Sequence, residues 1–184
     1  MHRRKQMKVT YYVASSLDGY IAKEGGDVSW LEELGIPMEE TGYEEFYSTV
    51  DALVMGRKTY DMIVSFGQWP YGDKPVWICS RGKITPMKGC NLKVGNTPEE
   101  AYKAAKDLNN KHLWLVGGGN LASSFLQKNL LTDISLSLMP IILGGGIKLF
   151  GDLPIPIKMN KENQAPHKSG FIQLEYAINK DLHP

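Results

Sequence analysis

The run Leu113-Trp114-Leu115-Val116-Gly117-Gly118-Gly119-Asn120-Leu121-Ala122-Ser123-Ser124-Phe125-Leu126 is an apolar stretch that halts at three glycines and resumes with apolar residues at helical spacing. A chain that does this turns sharply from a buried strand into a helix, which suits a fold in which strands and helices alternate. Glycines at such a turn permit positive φ and let the backbone approach a bound group. The helix that follows aims its unpaired amides and positive dipole end at the same point. The pattern reads either as a seat for a phosphate or as a turn that only needs positive φ.

The rest of the chain repeats the alternation. Residues 9–15 are β-branched and aromatic and run into Asp18-Gly19, which predicts a first, central strand entering a loop. Tyr43, Phe46 and Tyr47 are spaced for a short helix over 42–49, a buried strand follows over 51–55, and a helix over 58–64. Short strands are expected at 75–79 and 92–94. Thr97-Pro98-Glu99-Glu100 is a helix start with a capping threonine, proline in the first turn and a glutamate able to reach back, predicting a helix to about residue 108. Strand 112–116 and helix 120–129 flank the glycines. Ile134, Leu136 and Leu138, and later Ile172, Leu174, Tyr176 and Ile178, alternate with polar residues, as expected of half-exposed strands paired antiparallel. Between them, residues 144–169 read as a long irregular stretch, of the kind that is usually functional or part of an interface.

Composition narrows the function. With 184 residues the chain suits one domain able to bury a core without metals or disulfides. A formal charge of +1 gives no footprint for nucleic acid, and no apolar run approaches the roughly 18 residues of a membrane span. The basic start, residues 1–6, reads as a disordered arm before a domain beginning at Met7, and lacks the apolar core of a signal peptide. Cys79 and Cys90 match no Cys-x-x-Cys or zinc pattern and read as free thiols of a cytoplasmic protein.

Three predicted strand ends carry candidate anion contacts: Gly56-Arg57-Lys58-Thr59, Ser80-Arg81 and Gly117-Gly118-Gly119-Asn120. In a sheet with parallel strands, ligands sit beyond the carboxyl ends, so these loops can converge on one molecule with several phosphates. The acid about 20 residues after the glycines that a conventional dinucleotide fold uses on the ribose is missing, and no Gly-Lys-Ser or Gly-Lys-Thr closes a phosphate loop. Cations in place of that acid favour a 2′-phosphate, hence NADPH over NADH.

The segments Leu53-Val54-Met55-Gly56-Arg57-Lys58-Thr59-Tyr60, Val76-Trp77-Ile78-Cys79-Ser80-Arg81 and Trp114-Leu115-Val116-Gly117-Gly118-Gly119 resemble the dihydrofolate reductase superfamily, and the resemblance runs from Met7 to the C-terminus. Ser16-Leu17-Asp18-Gly19-Tyr20-Ile21-Ala22 and Pro140-Ile141-Ile142-Leu143-Gly144-Gly145-Gly146 place it nearer the branch that holds the reductase domain of the riboflavin-biosynthesis deaminase-reductase. The resemblance implies an α/β fold with a mixed, mainly parallel central sheet flanked by helices and an antiparallel C-terminal strand pair. It implies an NADPH cleft and hydride transfer to a pterin-like or ribosylamino-pyrimidine substrate. By the same resemblance Gly56, Arg57, Lys58 and Thr59 serve the phosphates, Ser80 and Arg81 the 2′-phosphate, and Gly117, Gly118, Gly119, Asn120 and Leu121 the pyrophosphate. Ala14 and Ile21 border the nicotinamide, and Asp18, Trp30, Leu143 and Gly144 neighbour the substrate.

One departure matters. Dihydrofolate reductases carry an acid on the first helix about one turn before an aromatic residue, and alignment on Phe46 puts Gly42 there, with Glu39, Glu40, Glu44 and Glu45 nearby. The zinc-deaminase motif of the bifunctional riboflavin enzyme is absent as well. The expectation is a free-standing NADPH-dependent reductase whose proton comes from Asp18 or a bound water. The alternatives are true dihydrofolate reduction, or nucleotide binding with little catalysis. The C-terminal strands suit either a homodimer surface or an edge shielded by loops.

Overall fold

The structure, a computed structural model, describes residues 6–179; the basic arm expected at the start falls largely outside them. In chain order the elements are β1 (Lys8–Ser15), β2 (Tyr20–Ala22), α1 (Ser29–Glu33), α2 (Tyr43–Thr49), β3 (Ala52–Gly56), α3 (Arg57–Ser65), β4 (Pro75–Cys79), β5 (Asn91–Gly95), α4 (Pro98–Asp107), β6 (His112–Gly117), α5 (Gly119–Gln127), β7 (Asp133–Leu138), β8 (Ile147–Lys148), β9 (Met159–Pro166) and β10 (Ile172–Ile178). Eight strands form one sheet in the order β5-β4-β3-β6-β1-β7-β10-β9. The first six of that order are mutually parallel, and β10 and β9 add antiparallel. This is the mixed, mainly parallel sheet with an antiparallel C-terminal pair that the resemblance implies, and β1 is central.

Burial follows the strand period. In β3, Ala52 and Val54 face a core that includes Ala101 and Ala105 of α4 and Ala122 and Phe125 of α5. Leu53 and Met55 point the other way, onto Tyr60 and Ile63 of α3. A strand covered on both faces reads as an unbroken apolar run because neither side meets water. Each fully buried large side chain, such as Phe125 or Leu113, contributes about 1.5–3 kcal/mol.

The start of α4 is built much as its sequence suggests. The Glu100 amide donates to Thr97 Oγ1 at 3.2 Å, and the Glu100 carboxylate accepts from the Asn96 amide, one residue earlier than a capping box requires. The stretch 144–169 corrects the expectation of an irregular segment. It holds β8, paired with β2 in a small second sheet, and β9, at the edge of the main one. Nearly all of β9 is exposed on both faces, so selection leaves no alternation of apolar and polar residues to read.

Candidate active site

Strands β4, β3 and β6 are neighbours in the sheet and parallel, so residues 80–83, 57–59 and 117–119 leave its carboxyl edge side by side. The three loops also touch. Arg57 Nη1 donates to the Lys83 carbonyl at 2.8 Å, and a Cβ on Gly82 would lie 3.8 Å from Ser80 Oγ and 3.9 Å from Arg57 Nη1. Arg57 Nε lies between both oxygens of Asp61, at 2.7 and 2.8 Å, so its guanidinium braces α3 against the loop after β4. Arg81 is exposed and makes no ion pair among the described residues.

The glycines divide by role. Gly117 has φ +150° and joins Gly118 through a cis peptide. Gly119 is demanded by packing, because a Cβ there would collide with the Lys148 carbonyl oxygen. Gly118 has an ordinary extended backbone, and a Cβ on it would sit 3.7 Å from Thr59 Oγ1. Neither α3 nor α5 has a side-chain cap at its N-terminus, and Thr59, in the first turn of α3, stands against Gly117 and Gly118 of the turn into α5. First-turn amides have no partner within their own helix, so two such ends meet at one point with their positive poles. Asn120 is exposed at the start of α5, whereas Leu121 packs partly into the core beneath it.

Beside this point a cleft of about 500 Å³ opens between the sheet and the layer made by α1, the turn Met38–Thr41 and α3. Ala14, Ile21, Thr59, Gly117 and Gly118 line it, together with Tyr12, Tyr43, Tyr71 and Trp114, none of them among the expected site residues. Tyr12 stacks on Phe46 with ring centres 4.1 Å apart and donates its hydroxyl proton to the Thr41 carbonyl at 2.7 Å. Burial pushes the Tyr12 and Tyr43 hydroxyls up to about 12, so both stay protonated at neutral pH. Burial also pushes Cys79 up to about 12 and Cys90 to about 11, which keeps both thiols from acting as nucleophiles near neutrality.

The expected substrate neighbours are placed elsewhere. Trp30 is wholly buried with Met139 and Phe171, does not line the cleft, and its Nε1 meets no acceptor among the described residues. It is a core residue because α1 lays it inward while its neighbours Leu31 and Glu32 line the cleft. Asp18 is likewise absent from the walls. Its carboxylate accepts from Ser16 Oγ at 2.6 Å, from the Leu143 amide at 3.1 Å and from the Gly144 amide at 2.7 Å, so Asp18, Leu143 and Gly144 form a clasp between two loops. Those bonds, the Ser16 hydroxyl first, hold the Asp18 carboxyl below its usual range, and they engage it in the clasp rather than on the wall of the cleft. Glu32 is the one carboxylate among the lining residues.

The clasp has a measurable consequence. A carboxyl whose folded pKa lies below its unfolded one stabilises the fold above about pH 4, and that contribution is lost as pH falls, because the unfolded chain then binds more protons. Asp18→Asn is expected to shrink the drop in urea midpoint between pH 7 and pH 3. An equal drop in variant and wild type refutes the clasp as a source of acid sensitivity.

The acids near α2 are also accounted for. Gly42 has φ +69° and is the residue before the first turn of α2, a left-handed position that disfavours a carboxylate side chain. Glu39, Glu44 and Glu45 are exposed and do not line the cleft. Glu40 accepts from the Ser169 hydroxyl at 2.8 Å and so ties the turn at 38–41 to the tip of the β9–β10 hairpin.

Residues 68–171 match the family described as the RibD C-terminal domain. The chain belongs to that family. Membership in the RibD C-terminal domain family agrees with the riboflavin-branch resemblance of the loops at 16–22 and 140–146. The uncharacterized protein YwjB of Bacillus subtilis (strain 168) is 32% identical over 93% of this chain and 98% of its own length. A putative riboflavin biosynthesis protein from Shewanella sp. PV-4 superimposes with a TM-score of 0.83 at 31% identity, covering 95% of this chain and all of that one. A dihydrofolate reductase from Enterococcus faecalis, complexed with NADP(H) and RAB-propyl, superimposes with a TM-score of 0.67 at 16% identity, over 94% of this chain and 97% of that one. The RibD C-terminal domain family fold is thus dihydrofolate-reductase-like here.

Proposed function

We propose that this protein is an NADPH-dependent reductase acting on a small heterocyclic substrate, a ribosylamino-pyrimidine or a close analogue. The observation that carries the reading is the meeting of two uncapped helix N-termini at Thr59 and Gly118, directly beside an aromatic cleft. The chain fits the cofactor at each part. Backbone amides at the starts of α3 and α5, with Lys58 and Thr59, suit the pyrophosphate, and Ser80 with Arg81 suits a 2′-phosphate. Ala14 and Ile21 bound the space next to the glycines, where a nicotinamide would lie.

When bound, NADPH supplies the hydride; the protein's task is to position the substrate, exclude water and deliver a proton. Tyr12, Tyr43, Tyr71 and Trp114 provide flat apolar faces for a planar ring. Glu32 is the carboxyl on the wall that can pass a proton from solvent. The left-handed Gly42 and the exposed or engaged acids around it disfavour a folate site.

The test follows NADPH oxidation with 5-amino-6-(5-phosphoribosylamino)uracil and, separately, with dihydrofolate. Turnover of the uracil alone is the expected outcome. Turnover of dihydrofolate alone replaces the reading with folate reduction, and inertness towards both, with NADPH bound, replaces it with a nucleotide-binding role.

A further inference from the structure

Ser135 and Ser137 stand two residues apart on β7, on the sheet face shared with their register partners Tyr12 and Ala14 on β1 and Glu175 and Gln173 on β10. Both serines are only 4% exposed. Polar groups withdrawn from water make their hydrogen bonds inside the protein. These four side chains make them with one another. Ser135 Oγ donates to Glu175 Oε1 at 2.7 Å, and Gln173 Nε2 donates to Ser135 Oγ at 2.8 Å and to Glu175 Oε1 at 3.2 Å. Ser137 Oγ donates to Gln173 Oε1 at 2.6 Å.

The direction of this relay is imposed from one end. An ionised carboxylate only accepts, so Ser135 commits its single proton to Glu175 and its oxygen can then only accept. The Gln173 amide must therefore turn its nitrogen towards Ser135 and Glu175, since the reverse orientation would face its oxygen against two acceptors. That places its oxygen opposite Ser137, which commits its own proton to it. Ser137 is the member that lines the cleft, beside Ala14. With its proton engaged it offers the cleft only lone pairs.

We infer that Ser137 is a fixed hydrogen-bond acceptor in the cleft, its polarity set by Glu175 through Ser135 and Gln173, and that it selects a ring bearing an N–H donor over one bearing a carbonyl or ether at that point. The inference rests on the proposed reading of the cleft as the substrate site. Glu175 is a positioning residue in this scheme, because it acts on the ligand only through the relay. A donor-bearing ring satisfies Ser137, whereas an acceptor placed there leaves two oxygens opposed and unpaired, which is the stronger basis of discrimination in a buried site.

The probes are 4-aminopyrimidine and 4-methoxypyrimidine, similar rings that present N–H donors or lone pairs alone at one position. They are titrated by calorimetry into the full-length protein saturated with NADPH. The amino ring is expected to bind about 3- to 10-fold more tightly than the methoxy ring. Glu175→Gln gives residue 175 its own N–H donors, frees the relay to reverse, and is expected to bring the ratio close to one, as is Ser137→Ala. Thermal melting close to that of the wild type shows that each variant is folded, and a purely structural role would not move the ratio. Failure of both rings to bind the wild type, a wild-type ratio of one, or a ratio unchanged in both variants overturns the assignment. Failure of NADPH to saturate the wild type is instead a failure of the cofactor reading, and the same titration without NADPH still judges Ser137.

Discussion

Arg81→Glu is expected to weaken NADPH binding about 10- to 150-fold while changing NADH binding far less. The range is that of one charge-assisted hydrogen bond, roughly 1.5–3 kcal/mol. Arg81 is the right probe because it is exposed just past β4 and makes no ion pair among the described residues, so its removal breaks no brace. Arg57 would be a poor probe. Its guanidinium holds Asp61 and the Lys83 carbonyl, and its loss would loosen two loops at once. The measurement is the pair of dissociation constants, by fluorescence titration at fixed salt, since screening changes the strength of any exposed contact. Equal losses for the two cofactors refute the 2′-phosphate role of Arg81.

The second large effect separates the glycines by adding the same methyl group to neighbouring residues. Gly119→Ala drives a Cβ into the Lys148 carbonyl, and the backbone must move; overpacking of this kind costs about 1–3 kcal/mol or more. For a domain of this size a loss of 1 kcal/mol lowers Tm by roughly 2–4 °C. Gly118→Ala adds its methyl at ordinary contact distance from Thr59 Oγ1, at φ −93° and ψ −172°, where a side chain is not strained, so its Tm is expected to fall less than that of Gly119→Ala. The methyl nevertheless stands where the pyrophosphate would approach the amides, and NADPH affinity is expected to fall at least about tenfold. A stable Gly118→Ala protein with undiminished NADPH binding would show that the glycine turn serves the fold alone.

These contrasts mark where sequence was legible. Strands β1, β3, β4 and β6 and helices α3, α4 and α5 announced themselves through apolar periodicity and the cap at Thr97, because burial on a fixed face leaves a fixed spacing. Their order alone brought Arg57, Ser80 and Gly117 to one edge. Elements β2 and β8 are three and two residues long and exist only through pairing with each other, so no local pattern could show them. Helix α1, at five residues, is too short to display a period, which is why the sequence leaves Trp30 open between packing and the substrate and gives no sign that Leu31 and Glu32 line the cleft. Asp18 carried a readable signal: a serine, an aspartate and a glycine in close succession are turn chemistry, and its oxygens close a loop. Ser137 and Glu175 looked like the polar side of half-exposed strands, and nothing in a single sequence says that such a side borders a cleft.

The bond from Ser169 to Glu40 spans 129 positions of chain. It fastens the turn that roofs the cleft to a hairpin made long after that turn leaves the ribosome. While the protein is being synthesised, the glycine loops and the central strands can emerge and pair first, and the roof is then held by the Tyr12 hydroxyl on the Thr41 carbonyl, but its second tie waits until residue 169 is available. The walls of the cleft are therefore all made before the hairpin, and what the hairpin brings is the last fastening of the roof.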